Sequence, residues 1–183
     1  DNASDLGNDD SGNLNDGVNK GGVTADVSGK KGGAASFDGE KHLNFGSGTA
    51  VQLGGSGKSF SISAWSKRTA SGDYDFIVTQ GTSLLNYGIR FGYRADDKFG
   101  FSFSNNTLNP TSAAYPDVGV WHNWVGTYDG STNKRILYRD GIAVGSDAAA
   151  QDFLGTGNLI VGTGYTIGVS YSYHSSFDGS ITL

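Results

Sequence analysis

Acidic and amide oxygens make up most of what this chain could use for chemistry. Near the start, Asp9, Asp10, Asn13, Asn15 and Asp16 crowd one glycine-containing turn, DDSGNLNDG. Calcium takes roughly six to eight oxygen ligands, and carboxylates, amide oxygens and freely turning carbonyls are its usual donors. An EF-hand loop is excluded, because Gly12 stands where a ligand belongs and no closing Glu follows. A flexible acidic turn is the plainer alternative. Further along, Asp73 with Asp75 and Asp96 with Asp97 form two close pairs in apparent turns. Sugar hydrolysis on sandwich folds needs paired carboxyls, usually Glu, one of them kept protonated. The chain has a single Glu, Glu40, in a turn beside Lys41. That composition points away from catalysis.

The other reactive residue types are sparse. His42, His122 and His174 are scattered, with none of the short-range pairs that hold zinc. His122 alone falls in a strand-like stretch, which favours a packed, hydrogen-bonded role. Cysteine is absent, so disulfides and thiol chemistry are excluded. GGSGKS at 54–59 ends like a phosphate-binding loop. However, Gln52 occupies the position of the required first glycine, and a strand follows instead of a helix. A net charge of -5 argues against nucleic acid as a partner. No apolar run approaches the ~20 residues of a membrane span, so membrane insertion is not expected. Methionine is absent too, from which a processed product or a segment of a longer chain is expected.

Binding fits the composition better. Sugars are held by aromatic faces stacked on the ring, with amides and carboxylates meeting the hydroxyls. The chain has 3 Trp and 9 Tyr. Trp65, Trp121 and Trp124 lie in strand-like stretches, where core packing is the default for so large a side chain. Alternation puts Trp124 on the face opposite Trp121, and it is the tryptophan expected to reach a groove. Tyr115, Tyr165, Tyr171 and Tyr173, in or near loops, are the other candidate stacking residues.

The elements that must position these groups are short strands. Phe60, Ile62 and Ala64 alternate with Ser61, Ser63 and Trp65, a half-buried strand pattern. Trp121 to Tyr128 is rich in aromatic, Val and Thr residues that suit a pleated surface. Asp129 to Asn133 supplies a turn, Ile136 to Tyr138 a strand, and Asp140-Gly141 a two-residue hairpin turn. Further strands are expected near 23–27, 34–37, 43–45, 51–53, 76–79, 87–93, 99–103, 159–161 and 165–174. Asn105 to Asp117, the longest stretch without a pattern, is a candidate binding loop or a solvated connector. No apolar spacing of helical period runs for three turns, so the chain reads as all-β and, at this length, as one domain spanning residues 1–183.

Several pieces together carry a family likeness. WHNWVGTYDG followed by LYRDG, with FDG at 37–39, FSISAW at 60–65 and FDGSI at 177–181, resembles the concanavalin A-like, laminin G-type jelly roll in its bacterial LamG-like form. DSGNLNDG at 10–17 resembles the loop that in this family often touches calcium. The likeness covers about residues 10–183 and implies a two-sheet antiparallel jelly-roll sandwich. Calcium is then the implied cofactor, with Asp10, Asn13, Asp16, Asp38 and Asp178 as its ligands. The family usually has Val or Ile where this chain has Arg139. Either that face is exposed, with Ile136 and Tyr138 inward, or Arg139 pairs with a buried carboxylate; exposure is the simpler account. The family's first and last strands are here replaced by polar residues and cut short, which implies an unpaired sheet edge.

Since one fold hosts lectins, adhesins, glycosidases, lyases and inert spacers, function must come from the site. The reading is a non-catalytic module, extracellular or on a cell or virion surface, that binds glycan or a partner protein. The alternative is a structural assembly domain of a filament, capsid decoration or tail fibre, completed by strand pairing with itself or with neighbouring domains. A polysaccharide hydrolase or lyase is the third reading.

Overall fold

The computed structural model describes residues 6–30, 32–108, 113–164 and 176–182. In chain order the strands are β1 (Val18–Lys20), β2 (Thr24–Asp26), β3 (Ala34–Asp38), β4 (His42–Asn44), β5 (Phe60–Arg68), β6 (Asp75–Gly81) and β7 (Gly88–Tyr93). They continue as β8 (Phe99–Phe103), β9 (Thr107–Leu108), β10 (His122–Asp129), β11 (Lys134–Arg139), β12 (Ile142–Ala148), β13 (Leu159–Val161) and β14 (Asp178–Thr182). One sheet runs β1-β4-β13-β6-β7-β8-β9 and the other β12-β11-β10-β5-β14-β3-β2. Every pairing within them is antiparallel, so the all-β sandwich expected from the alternation is what forms.

Period-two patterning decides which side chains lie between the sheets. In β5, Ile62, Ala64, Ser66 and Arg68 are buried while Ser61 and Ser63 are exposed. In β10 the inward set is Trp124, Gly126 and Tyr128. Facing them are Phe91, Phe99, Phe101 and Phe103, all fully buried. Each such ring contributes about 1.5–3 kcal/mol by leaving water. Gly126 has to be small: a Cβ there would lie 2.9 Å from the Phe91 ring. The β11–β12 hairpin turns at Asp140 (φ 51°) and Gly141 (φ 82°), the two successive positive φ values of the expected tight turn.

Three expectations are corrected. Val51 ends a short 3-10 turn, Thr49–Val51, and Leu53 follows outside any strand. There the Gln80 side chain accepts the Leu53 N–H at 2.9 Å and donates to the Val51 carbonyl at 2.9 Å, binding the backbone from within. The last strand leaves no open edge, because β14 lies inside its sheet, hydrogen-bonded to β3 on one side and β5 on the other. On β11 it is Arg135, Leu137 and Arg139 that face inward, and Ile136 and Tyr138 that face out. Arg139 follows the pairing account, although its carboxylate, Asp117, is itself 42% exposed. The strand expected at 165–174 lies outside the described residues.

Candidate functional site

The second sheet has an outer face, and its chemistry is organised around two tryptophans. Trp65 on β5 shares the outward parity of Ser61, Ser63 and Lys67, and pairs in register with Asn123 of β10. Trp121, two residues before Asn123, therefore lies beside Lys67. Both rings are half-buried. Each is capped by an ammonium: the Lys30 Nζ lies 5.1 Å from the Trp65 ring centre and the Lys67 Nζ 5.0 Å from that of Trp121. Attraction between a cation and the negative face of the ring holds these contacts.

A polar border surrounds the rings. The Asn123 side-chain amide donates to the Ala64 carbonyl at 3.4 Å and to the Ser63 hydroxyl at 3.5 Å. Asp26 of β2 ion-pairs with Lys67 at 3.5 Å and accepts from the Ser180 hydroxyl at 2.6 Å and the Ser28 N–H at 2.8 Å. The Ser180 bond leads in holding the Asp26 carboxyl below the usual carboxylate range. The result is a strip of aromatic, hydroxyl, amide and ammonium groups along one face of the sheet.

The tryptophan expected in a groove is instead a core residue. Trp124 is 0% exposed, stacked on Phe99 at 3.9 Å, and donates its indole N–H to the Tyr93 hydroxyl at 2.8 Å. Parity explains the reversal: Trp124 alternates with the outward Val125 and Thr127, so it must face the core. Tyr115 is half-buried at the sandwich rim, edge-on to Trp124 at 5.2 Å with the Arg139 guanidinium 4.7 Å from its ring. Its ring packs as part of that rim. Tyr165, Tyr171 and Tyr173 lie outside the described residues. Two residues that do belong to the aromatic face, Trp65 and Trp121, were assigned to the core by size. The overlooked signal was their shared phase with Ser61, Ser63 and Asn123.

At the rim an ionic network surrounds Arg139. It contacts Asp117, and its guanidinium lies 2.8 Å from His122 Nε2. His122 Nδ1 meets Asp140 at 2.7 Å, and Asp140 also accepts the Asn123 N–H at 2.9 Å. Burial pushes the Asp140 carboxyl up, but the bonds from His122 and Asn123 outweigh it and leave it below its ordinary value. His122 thus has the packed, hydrogen-bonded role its strand position suggested.

The five expected calcium ligands fall in two separate places. Asp10 lines a cleft of about 660 Å3 between the sheets, whose mouth is edged by Asn8, Asp9, Ser11 and Asn15 and whose floor includes Phe37, Leu43 and Ile181. Within this loop Asp9 accepts the Ser11 and Asn15 N–H groups, both at 2.9 Å, and Asp16 accepts the Asp9 N–H at 2.8 Å. A bond from the Ser11 hydroxyl foremost, then those from the Asn15 and Ser11 N–H groups, hold the Asp9 carboxyl down at about 2. Asp38 and Asp178 sit opposite each other on β3 and β14, lining a second cleft of about 320 Å3 with Glu40, Asp73 and Asp75. Asp38 ion-pairs with Lys41 at 2.9 Å. Asp75 accepts from Arg68 at 3.4 Å and from the Asp178 N–H at 3.3 Å. Burial raises its carboxyl to about 6 despite those bonds. Among the described residues no three His, Cys, Asp or Glu side chains converge as a metal cage. The five expected ligands are thus not brought together in one place.

Among the described residues no helix is long and apolar enough to cross a membrane. A comparison with curated proteins finds no match. Solved structures share the fold. Domain 4 of AbnA, a GH43 extracellular arabinanase from Geobacillus stearothermophilus in complex with arabinotriose, superposes with a TM-score of 0.72 at 18% identity over 97% of this chain and 84% of that one. The CBM40 of a Ruminococcus gnavus IT-sialidase bound to α2,3 sialyllactose gives 0.57 at 12% identity, covering 81% of this chain and 85% of that one. A carbohydrate-binding protein of Bacteroides ovatus ATCC 8483, so described, gives 0.56 at 18% identity over 77% of this chain and 39% of that one. The family model Laminin_G_3 matches residues 37–182, and with that span and this sandwich the chain belongs to the concanavalin A-like lectin/glucanases superfamily.

Proposed function

We propose that this is a non-catalytic carbohydrate-binding module that works outside the cell, with the outer face of β5 and β10 as its binding surface. The observation that carries the reading is the pair Trp65 and Trp121, half-buried at diagonal positions on one sheet face with Asn123 and Ser63 beside them. Packing alone gives a large aromatic side chain no reason to lie outside a core that already holds Phe91, Phe99 and Trp124. Stacking on sugar rings supplies one. The extracellular setting is supported by the fold's occurrence in an extracellular arabinanase. Binding to a glycan array, compared between the natural chain and a Trp121→Ala variant, tests the reading. Signal lost in the variant is the expected result. A natural chain that binds no glycan while correctly folded removes it.

One observation favours hydrolysis as a second reading. Asp75, with its carboxyl raised to about 6, borders a cleft shared with Asp38, Glu40, Asp73 and Asp178. A carboxyl with a raised proton affinity set beside other carboxyls is the pattern of a general acid. Its oxygens, however, are engaged by Arg68 and by the Asp178 N–H, and its side chain is only 6% exposed. Release of reducing ends from polysaccharide by the natural chain, abolished by Asp75→Asn, would establish this reading in place of the first.

A further inference from the structure

The two ammoniums over the tryptophans restrict which sugar the face can take. A neutral ring stacking on Trp65 must displace Lys30 and return it to water with nothing gained in exchange. A sugar with an acidic group offers the same ammonium a charge-assisted bond, stronger than the contact it leaves. Resting on the carbohydrate-binding reading above, we infer that the Trp65–Trp121 face recognises an anionic sugar, one bearing a carboxylate or a sulfate, with Lys30 as the residue that reads the charge.

The two lysines are not equivalent. Lys67 is neutralised by Asp26 at 3.5 Å, and Asp26 is fixed in turn by Ser180 and Ser28, so this ammonium is a positioned cap over Trp121. Lys30 is exposed and makes no ion pair among the described residues. Among the described residues the strip around the rings therefore carries one uncompensated positive charge, on a chain whose net charge is -5. A ligand chosen for its rings alone would not need that cation. One chosen for its rings and its charge would meet Trp65, Trp121 and Lys30 together, with Asn123 and Ser63 left for hydroxyls.

The test is a titration, followed by tryptophan fluorescence, of the natural chain and of Lys30→Gln and Lys30→Arg variants. The probes are three matched pairs: sialyllactose against lactose, hexagalacturonate against its methyl ester, and a sulfated against an unsulfated galactan oligosaccharide. Tighter binding of at least one acidic member over its neutral partner is expected, by about tenfold or more at low salt. That preference should fall in Lys30→Gln, return in Lys30→Arg and weaken as salt rises. Because Lys30 is exposed, its replacement leaves the fold intact, which circular dichroism verifies. Equal binding of neutral and acidic partners, or a preference untouched by Lys30→Gln, overturns the anionic-sugar inference while leaving a carbohydrate module standing. Failure of the natural chain on these pairs and on the full array removes both.

Discussion

Trp121, just before β10, and Trp124, within it, stand three residues apart and live in opposite environments. Trp124 is sealed between the sheets, stacked on Phe99 and bonded to Tyr93. Trp121 lies on the outside under Lys67. The same division runs through the cations. Arg135, inside, has no exposed side-chain surface and divides its donors among Asp147 and the carbonyls of Phe101 and Asn106. Lys67, outside, shares Asp26 with Ser180. Residue type therefore says less about role than the phase of the strand does: the inward copy of each pair supports the fold, and the outward copy is free to recognise something.

The largest expected effect is on the inner tryptophan. Trp124→Ala should cost about 3–5 kcal/mol in denaturant unfolding, the usual range for deleting a buried aromatic. Trp121→Ala should cost less than about 1 kcal/mol yet lower glycan affinity at least ~10-fold, as loss of an aromatic anchor does. Equal destabilisation by the two would break the division between faces.

The cations sharpen it next. Arg135→Met should destabilise by about 3 kcal/mol, the low end for a buried pair losing one partner because Asp147 is 34% exposed. Lys67→Met should cost about 1 kcal/mol, because both ends of its ion pair keep some contact with water. Chemical denaturation of both variants at one pH gives the comparison.

Two carboxylates predict opposite pH behaviour. Asp75, raised to about 6 by burial, binds a proton more tightly folded than unfolded. Its contribution is present in full below its ordinary value of 3.8 and is lost as pH rises to about 6. Asp75→Asn should accordingly gain stability relative to the natural chain by about 2–3 kcal/mol between pH 4 and pH 6, and no more above. Asp26, held low chiefly by Ser180, contributes above its ordinary value and loses that contribution as pH falls through its folded one. Asp26→Asn should show its deficit at neutral pH and none in strong acid. Thermal melts across pH 3–8 resolve the two signs.

Calcium closes the series. The carboxylates of the first loop already serve its own N–H groups, and Asp38 serves Lys41. Addition of calcium, or of a chelator, is expected to move the melting temperature by less than about 2 °C, at most about 0.5–1 kcal/mol for a chain of this size. A rise well beyond that would give the acidic cleft at β3 and β14 a ligand after all.

The fold was legible because alternation and turn chemistry agree along most of the chain. FSISAW shows its inward and outward sets directly, and Asp140-Gly141 can hardly be anything but a tight turn. The site was less legible. Trp65 carries the phase of two serines, while its size argues for the core, and in this strand phase prevails over size. The partners of Lys30, Lys67 and Asp26 come from strands far apart in sequence, so no local window contains them. Nothing in the strand of Arg139 signals its inward turn, because what draws it in, Asp117 and the Tyr115 ring, lies in the loop before β10.

The interior position of β14 has a consequence for how the domain comes into being. Strands β3 and β5 can each touch β14 but do not pair with one another, so the sheet bearing the tryptophan strip is in two halves until residues 178–182 have been made. A nascent chain must keep both halves from joining other strands until then, and closure waits on contacts between residues well over a hundred positions apart, a topology that folds slowly. The proposed binding face, which draws on β2, β5, β10 and β14, is thus completed only once residues 178–182 have been made.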